Sequence, residues 1–406
     1  MFHLIQLIVM VLAFISHDHE AVATLWQPTL ESYPPLIAPI TKHTGAAQDL
    51  YSVEIMTDWV NGQYVHSDFL IDTDARLVWH ECIVQLPIST EKCPIDTLCN
   101  TYVPSPPCNV ENPVTGGCLQ VKTSYDEFTV NLSNGRHILA GVHDASLIAG
   151  CAPSSALVSF PKNVTGVMAL SRSPYAYPAQ VTGIRKNILA LCLPSTTSAR
   201  GVLLFGESPF YLLPHSDVDV TSLLSYTPLY THPESFGYFI VVNAIVIKKR
   251  STGLPMNTKA KLSTIDPYTT LRTDIYNRVV QSFTKVTKQI PGAMPVPPFS
   301  LCFRTFTNGT KIGLKVPDIN LSLEGGKNWT ISTLNSIKQI TKDVACLAFL
   351  DGGAKSEPAI VIGTFQFQDN FIVFDAENAR FGFSSSLLPK KTSCSNFNFT
   401  QTSDMY

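Results

Sequence analysis

The amino-acid sequence predicts an all-β protein built from two similar halves. Short β-rich runs, such as residues 51–55, 201–206 and 238–242, alternate with clusters of Gly, Pro, Asn and Ser, which is the pattern of an all-β domain. Charged residues make up only 15% of the chain, which contains 28 Pro and 22 Gly. This composition suits a turn-rich protein, so both observations favour strands and turns over helices.

The two halves show the same arrangement of a polar turn followed by an apolar stretch. The first turn contains Asp72 and the second contains Asp266. Residues 166–170 and 360–363 follow these turns after roughly 90 to 95 residues, and each stretch contains a Gly, as expected where a strand lies close to another loop. The arrangement predicts a duplicated β fold with a cleft between two lobes.

The length and charge of the chain set the expected domains and exclude some partners. The 406 residues allow two or three domains, and a break near residues 207–224 is the natural linker. The predicted lobes are therefore residues 24–224 and 225–406. Lys plus Arg (29) nearly balances Asp plus Glu (31), so no global field points to nucleic acid or to an anionic membrane.

One helix is predicted directly after the second turn. Thr273 is placed to cap its N terminus, and Ile275, Val279 and Phe283 recur at helical spacing along one face. Pro291 follows shortly and would end the helix.

Residues 1–23 are predicted to be a secretory signal peptide. Residues 4–15 form an apolar run that is too short to span a bilayer comfortably, and Ala21-Val22-Ala23 is a small-x-small cleavage pattern. The alternative is a buried N-terminal segment. Because no second apolar stretch has membrane-spanning length, we expect the mature protein to be soluble and to have no membrane partner. We also expect no metal and no cofactor.

The cysteines and glycosylation sequons indicate an extracellular glycoprotein. The even number of cysteines and the lack of a Cys-x-x-Cys zinc knuckle favour disulfides over metal or redox chemistry. The ten cysteines are Cys82, Cys93, Cys99, Cys108, Cys118, Cys151, Cys192, Cys302, Cys346 and Cys394. The Asn-x-Ser/Thr sequons are at Asn131, Asn163, Asn308, Asn320, Asn328 and Asn398.

Taken together, these residues resemble the pepsin-like aspartic peptidases. The resemblance is to the plant branch that contains cereal xylanase inhibitors, legume basic 7S globulins and the carrot extracellular dermal glycoprotein. It is carried, in order, by Asp72-Thr73 with residues 77–79 and Cys82, then 151–153, 166–173, 202–206, 360–366 with Asp375, 382–383 and 394–400. The resemblance implies a pepsin-like bilobal double β-barrel with short helices and a central cleft.

The family's peptidases need two aspartates that share one proton, because two adjacent like charges cannot both ionise. The resemblance places the first at Asp72, where Asp74 replaces a Gly of the family's motif. The second aspartate of peptidases stands eight residues before a Leu and thirteen before a Tyr. Counting back from Leu271 and Tyr276 gives Ser263, which has no group that titrates near working pH.

The flap and the alternative aspartate support the same conclusion. Asp266 lies three residues out of register and is interpreted as a loop residue. Residues 111–117 replace the flap hairpin that carries a Tyr in active enzymes, and Tyr125 is expected to be a strand residue. The sequence therefore predicts no working catalytic residue. Asp72 and Ser263 are the vestigial dyad positions, with Asp266 as the alternative to Ser263.

The resemblance also implies an inhibitory loop and a disulfide pattern. In the family's inhibitors a His or an Arg precedes the last cysteine, and here Lys390 and Lys391 occupy those places. The alternative interpretation is a solvated basic tail. The implied pairs are Cys82–Cys151, Cys192–Cys394 and Cys302–Cys346. The branch usually has twelve cysteines, so the pairing of Cys93, Cys99, Cys108 and Cys118 stays open among three possibilities.

Three hypotheses for the function follow. The first is a secreted, catalytically inactive inhibitor of microbial cell-wall glycoside hydrolases, a xylanase or a xyloglucan endoglucanase, that acts in plant defence in the apoplast or cell wall. The second is a residual aspartic endopeptidase that uses Asp72. The third is a storage or peptide-binding protein of the basic 7S globulin type, although the near-neutral charge balance counts modestly against a strongly basic globulin.

Overall fold

The computed structural model describes residues 34–45, 48–60, 63–82, 108–181, 187–307, 310–311, 314 and 316–402. The predicted signal peptide, two cysteines (Cys93 and Cys99) and one sequon (Asn308) lie outside these ranges, so what concerns them stays a prediction.

The strands of the first half of the chain come before residue 224. They are β1 (Leu36–Thr44), β2 (Asp49–Val60), β3 (Gln63–Asp72), β4 (Trp79–Glu81), β5 (Cys108–Glu111), β6 (Cys118–Ser133), β7 (Ile138–Ala152), β8 (Val164–Ala169), β9 (Ile188–Cys192), β10 (Gly201–Phe205), β11 (Tyr211–Leu212) and β12 (His215–Asp219).

The strands of the second half begin at residue 225. They are β13 (Ser225–Pro228), β14 (Tyr230–His232), β15 (Ser235–Ile247), β16 (Arg250–Gly253), β17 (Lys259–Leu262), β18 (Thr269–Leu271), β19 (Gly292–Ala293), β20 (Cys302–Arg304), β21 (Phe306–Thr307), β22 (Thr310–Lys311), β23 (Ile319–Leu323), β24 (Asn328–Ile331), β25 (Ile337–Gln339), β26 (Val344–Leu347), β27 (Phe349–Asp351), β28 (Ile360–Ile362), β29 (Phe371–Asp375) and β30 (Arg380–Phe383).

Helices are few in the described part of the chain. The α-helices are α1 (Tyr177–Gln180), α2 (Thr273–Val286), α3 (Thr333–Ser336) and α4 (Thr364–Phe367). The 14-residue α2 is the predicted helix, and Ile275, Val279 and Phe283 are fully buried along one of its faces. The predicted cap was wrong, because Arg272 is the N-cap residue and the Thr273 hydroxyl donates instead to Asp351.

The same strand arrangement occurs in both halves. β3 pairs in parallel with β8, and β17 pairs in parallel with β28. A Cβ built on Gly166 would lie 2.3 Å from the carbonyl oxygen of Trp79, and one built on Gly363 would lie 2.6 Å from that of Asp266. The predicted duplication of strands is therefore a feature of the fold, and each half has a Gly in close backbone contact. The two glycines are not equivalent, because Gly166 pairs with Phe69, whereas Gly363 follows Ile362, which pairs with Leu262.

One sheet joins the two halves. Its strand order is β13-β30-β29-β9-β10-β1-β2-β3-β8-β4-β7-β6-β5, so β29 and β30 of the second half pair with β9 of the first half and with β13. A second sheet, with the path β24-β23-β15-β17-β28-β18-β27, belongs to the second half. Together the sheets give the pepsin-like all-β bilobal architecture that the sequence predicted.

Polar side chains also connect the halves. Asp49 in β2 accepts from Lys338 in β25 at 3.0 Å and lies 3.3 Å from the ammonium of Lys42 in β1. Gln368 donates to the buried hydroxyl of Tyr51 at 2.9 Å. These contacts hold the first strands of the chain against β25 and against the residue that follows α4.

The segment predicted as a linker contains ordered structure. Within residues 207–224, β11 and β12 form a hairpin, and a 3₁₀ turn covers Val220–Leu223. The N–H of Leu213 at the hairpin turn donates to the carbonyl of Asn396 near the C terminus at 2.9 Å. The hairpin is thus docked on the segment around Asn396, a contact that the predicted break near residues 207–224 did not include.

The disulfides Cys82–Cys151, Cys192–Cys394 and Cys302–Cys346 are present, and they are the three pairs that the resemblance implies. Cys302 and Cys346 are directly opposite each other on β20 and β26. Cys192–Cys394 attaches the C-terminal segment to β9 of the shared sheet. Cys108 and Cys118 are also disulfide-bonded.

The close approach at Gly363 predicts a difference between two Gly→Ala substitutions. Gly363→Ala forces a methyl group against the backbone of residues 266 and 268, and overpacking of this kind costs about 1–3 kcal/mol of unfolding free energy. Gly253→Ala meets no atom within 4 Å and should change stability by less than about 1 kcal/mol. Urea denaturation of both variants measures the difference. Equal stability of the two variants would contradict the prediction.

Candidate functional site

Reciprocal hydrogen bonds between two buried threonines hold the two polar turns together. The N–H of Thr73 donates to Thr264 Oγ1 at 3.1 Å, and the Thr264 hydroxyl donates to the carbonyl of Ile71 at 2.7 Å. In the other direction, the Thr73 hydroxyl donates to the carbonyl of Leu262 at 3.1 Å. Both threonines are 1% exposed. The residues just before them, Asp72 and Ser263, therefore occupy equivalent positions in the two halves.

The neighbouring parallel strands also hold the two turns. Leu170 donates to the carbonyl of Asp72 at 2.8 Å, and Ser263 donates to the carbonyl of Ile362 at 3.0 Å. Each turn is thus tied to the parallel strand that follows it in sequence. The register obtained by counting from Leu271 and Tyr276 agrees with this geometry, and the structure places Ser263 where the first half has its aspartate.

Asp266 lies in the loop beyond this position. Its N–H and that of Ile265 donate to Ser263 Oγ at 3.0 and 3.3 Å, so the chain turns around the serine hydroxyl. Ser263 is 5% exposed, whereas Asp266 is half-buried. Both line the same pocket, so Asp266 is near the site without holding the second catalytic position.

The turns form the floor of a pocket of about 250 Å³. Residues of both halves and of the β5–β6 region line it. They are Asp72, Asp74, Ala75, Arg76, Leu77, Trp79, Asn109, Val110, Glu111, Pro113, Ser235, Lys261, Ser263, Ile265 and Asp266.

An ion pair between Asp74 and Lys261 crosses this pocket. The Lys261 ammonium donates to Asp74 Oδ2, and the Ser235 hydroxyl donates to Asp74 Oδ1 at 2.6 Å. A Cβ on Gly237 would lie 2.8 Å from Asp74 Oδ1, so Gly leaves the space for the carboxylate. The aspartate that replaces the family's Gly is therefore neutralised by a lysine of the opposite half.

The charges of this pair follow from its surroundings. Burial acts to raise the pKa of Asp74, but the Lys261 ammonium and the hydrogen bonds from Lys261, Ser235 and Gly237 outweigh it and lower the pKa below the ordinary value. Burial acts to lower the pKa of Lys261, and the carboxylates of Asp74, Asp72 and Asp266 reverse this and raise it. Both groups are thus ionised at neutral pH.

Asp72 has the opposite shift. Burial, together with the negative charge of Asp74, raises the pKa of Asp72 to about 6. The N–H of Asp74 donates to Asp72 Oδ1 at 2.8 Å and, with Lys261, partly offsets this rise. Asp72 is therefore largely protonated at acidic pH and largely charged at neutral pH.

Lys261 was not singled out from the sequence, although a signal was present. In β17, residues 259–262, Ala260 and Leu262 are buried and alternate with the half-buried Lys259 and Lys261. Side chains of a strand alternate between its two faces, so Lys261 shares a face with Ser263. The alternation alone could have placed a cation beside the second turn.

The region of the flap is an Asn-based turn. The Asn112 side chain accepts from the N–H of Val114 at 2.9 Å and from that of Thr115 at 3.2 Å, and it donates to the carbonyl of Ala156 at 2.9 Å. Asn112 is 3% exposed, so this turn is anchored to the lobe below it. Tyr125 lies in β6 and is 67% exposed. The prediction that Tyr125 is a strand residue is confirmed.

The lysines of the predicted inhibitory loop lie elsewhere. Lys390 ends the 3₁₀ turn Leu388–Lys390, and Lys391 follows with a φ of 60°. Both are exposed, and neither belongs to the described residues that line the pocket. The Cys192–Cys394 disulfide and a hydrogen bond from Thr392 Oγ1 to the carbonyl of Leu213, at 2.7 Å, hold the loop in place.

The predicted glycosylation sites differ in exposure. Asn163, with a φ of 71°, and Asn328 are exposed. Asn131, Asn320 and Asn398 are half-buried, and Asn320 Oδ1 accepts from Thr330 at 2.7 Å. Occupancy of the sequons stays a prediction.

No group of three or more His, Cys, Asp or Glu in the described ranges could hold a metal ion. None of the helices described above is long and apolar enough to cross a membrane.

Comparison with known proteins identifies several relatives over nearly the whole chain. "Chitinase CLP" of Oryza sativa subsp. japonica is 35% identical over 90% of this chain and 92% of its own length. "Probable aspartic proteinase GIP2" of Nicotiana benthamiana is 31% identical over 90% of this chain and 92% of its own. The crystal structure of edgp superposes with a TM-score of 0.78 at 30% identity, covering 91% of this chain and 99% of that one.

Two family models match the two halves. The model described as xylanase inhibitor N-terminal covers residues 60–207, which include Asp72 and Asp74. The model described as xylanase inhibitor C-terminal covers residues 237–385, which include Lys261 and Ser263. With the duplicated fold and its paired threonine turns, these matches show that the chain belongs to the xylanase inhibitor family of pepsin-like proteins.

Proposed function

We propose that this protein is secreted to the plant cell wall, lacks peptidase activity and inhibits microbial glycoside hydrolases, a xylanase or a xyloglucan endoglucanase. The observation that carries the proposal is the pairing of Thr73 with Thr264, because it makes Ser263 the partner of Asp72. The family to which the chain belongs and the exposed lysines at Lys390 and Lys391 support the inhibitory part.

The site lacks the chemistry of an aspartic peptidase. That reaction needs two carboxyls with one proton between them, so that one acts as base and the other as acid on a single water. Ser263 carries no group that titrates near working pH. The nearby carboxylate of Asp74 is held by Lys261 and Ser235 and is not available to share the proton of Asp72.

The exposed lysines supply a chemistry that fits a hydrolase. Glycoside hydrolases flank the scissile bond with two carboxyl groups in a cleft that admits a polysaccharide. A lysine ammonium that enters such a cleft forms charge-assisted hydrogen bonds with the carboxylates and excludes the substrate. The disulfide and the Thr392 hydrogen bond hold the loop in one conformation, which reduces the entropy lost on binding.

Glycan hydrolysis in the pocket is a second candidate. A relative bears the name "Chitinase CLP", and the pKa values of Asp72 and Asp74 are shifted in opposite directions, a pattern typical of acid and base assignments. The ion pair of Asp74 with Lys261 counts against this candidate. An assay for release of sugars from chitin oligomers by wild type and Asp72→Asn separates it from inhibition.

Inhibition should depend on the two lysines. Lys390→Ala with Lys391→Ala should raise the inhibition constant against a sensitive fungal xylanase or endoglucanase at least tenfold, about 1.4 kcal/mol. The matched control is Lys248→Ala with Lys249→Ala, which removes two adjacent exposed lysines at another turn and should leave inhibition unchanged. Equal inhibition constants for the two double variants would refute a role of the loop.

The wild-type protein should show no acid proteolysis that pepstatin inhibits. A protein substrate incubated at acidic pH with pure wild type or with Asp72→Asn should remain intact in both cases, because Ser263 cannot supply the second carboxyl. Pepsin serves as the positive control. Proteolysis by the wild type that disappears in Asp72→Asn would instead support the hypothesis of a residual aspartic endopeptidase that uses Asp72.

The raised pKa of Asp72 predicts a pH-dependent gain in stability for Asp72→Asn. Well below the unfolded pKa of 3.8 the carboxyl is neutral in both folded and unfolded chains, so the variant and wild type should be equally stable. Between this pH and about 6 the unfolded chain ionises while folded Asp72 stays protonated, so the variant should gain stability relative to wild type, levelling off above about pH 6 at no more than about 3 kcal/mol.

The control for this prediction has the opposite sign. Since the pKa of Asp74 is lowered, its ionised form stabilises the fold, and Asp74→Asn should lower stability at neutral pH. Thermal unfolding across the acidic to neutral range measures both variants. A gain for Asp72→Asn that does not change with pH would contradict the assignment.

A further inference from the structure

We infer that the β11–β12 hairpin turn and the Leu388–Lys391 turn form one docking surface for the open, acidic and aromatic-lined substrate cleft of a glycoside hydrolase. The inference rests on the proposed function and extends it, since it adds an apolar half, from a different part of the chain, to the cationic loop. We call this surface the docking platform; it consists of Leu213, His215, Leu388, Lys390 and Lys391.

Two hydrogen bonds bring the two turns together. The carbonyl of Leu213 accepts from Thr392 Oγ1 at 2.7 Å, and the N–H of Leu213 donates to the carbonyl of Asn396 at 2.9 Å. The two partners lie on either side of Cys394, which is bonded to Cys192. The backbone of the hairpin turn is therefore fixed beside the segment that directly follows Lys391.

A shared buried cluster supports both turns from below. Leu212 of the hairpin and Leu387, just before the lysine turn, are buried in the same cluster with Cys394. The ring of Phe210 stacks between those of Phe371 at 4.7 Å and Phe397 at 5.4 Å. Because the platform stands on packed side chains, little conformational entropy remains to be lost when a partner binds.

The hairpin is also held at its other end. Asp219 accepts from the N–H groups of Phe210 and Thr221, both at 2.9 Å. The guanidinium of Arg136 lies 3.5 Å from the centre of the Tyr211 ring. These contacts fix both strands, so the exposed residues of the turn have defined positions relative to Lys390 and Lys391.

Large apolar side chains nevertheless remain in solvent on this rigid surface. Leu213 is 46% exposed and Leu388 is 37% exposed, although each lies next to a buried leucine. Substrate clefts are lined by apolar and aromatic side chains with a few polar groups, so the two exposed leucines would find complementary apolar surface in such a cleft.

The charge of the platform fits such a partner. Lys390 and Lys391 contribute two positive charges, His215 adds a hydrogen-bond donor, and the exposed Asp217 on the second strand adds one negative charge. The net charge is therefore positive, which is complementary to the carboxylates of a glycoside hydrolase cleft. An acidic cleft with an apolar rim matches both components of the surface.

The test compares hairpin, loop and control variants against one hydrolase that the wild type inhibits. Leu213→Ser should raise the inhibition constant at least tenfold, and His215→Ser should raise it by a smaller factor. Met256→Ser is the control, because Met256 is 92% exposed and its loss should have no effect. Unchanged thermal unfolding of Leu213→Ser shows that the variant has folded.

The outcomes separate the two proposals. If Lys390→Ala with Lys391→Ala weakens inhibition and Leu213→Ser does not, the docking platform is wrong and the inhibitory loop stands. If Leu213→Ser weakens inhibition and the lysine variant does not, the composite surface is also wrong. If the wild type inhibits neither fungal xylanases nor fungal endoglucanases, the proposed function fails, and the inference falls with it.

Discussion

The exchange of hydrogen bonds between Thr73 and Thr264 is the constraint on which the rest of the site depends. Each threonine binds backbone of the other half, and both are buried, so loss of one hydroxyl would leave unsatisfied polar groups in the interior. The exchange fixes the two turns relative to each other and thereby sets what faces Asp72. It also requires only the threonines and not the acids before them, so the fold tolerates Ser263 in place of an aspartate.

The serine at the position of the second catalytic aspartate changes the charge balance of the whole pocket. A second carboxyl in the position of Ser263 would share a proton with Asp72. Here, Asp74 and Lys261 instead form a separate ion pair, and the Asp74 carboxylate also accepts a hydrogen bond from Ser235. Breaking such a partly buried pair by removing one partner leaves an uncompensated charge. Asp74, Lys261 and the space at Gly237 therefore act as a set, and a return to the peptidase dyad would require more than the single change Ser263→Asp.

Much of this could be predicted from the sequence, because the decisive features are local patterns. The register that selects Ser263 follows from the family resemblance, which supplies the spacing to Leu271 and Tyr276, and the face of α2 follows from helical periodicity. The Asp74–Lys261 pair and the docked hairpin could not be predicted in this way. Asp74 and Lys261 are 187 positions apart in the chain, and Leu213 and Thr392 are 179 positions apart. Composition and periodicity do not encode contacts between such distant residues. The wrong cap at Thr273 also has a long-range cause, since its hydroxyl donates to Asp351, 78 positions away in the chain.

The proposed docking platform lies away from the constrained centre of the molecule. Residues at the centre of the molecule are constrained by the threonine exchange, the close glycines and the ion pair, so most changes there cost stability. The turns beside Cys394 stand on the sheet shared by both halves and are held by their own disulfide and hydrogen bonds. Their exposed side chains can change without disturbing the core, because surface substitutions away from buried contacts have small effects on stability. The side chains of the proposed binding surface can thus differ while the fold around the central cleft stays the same.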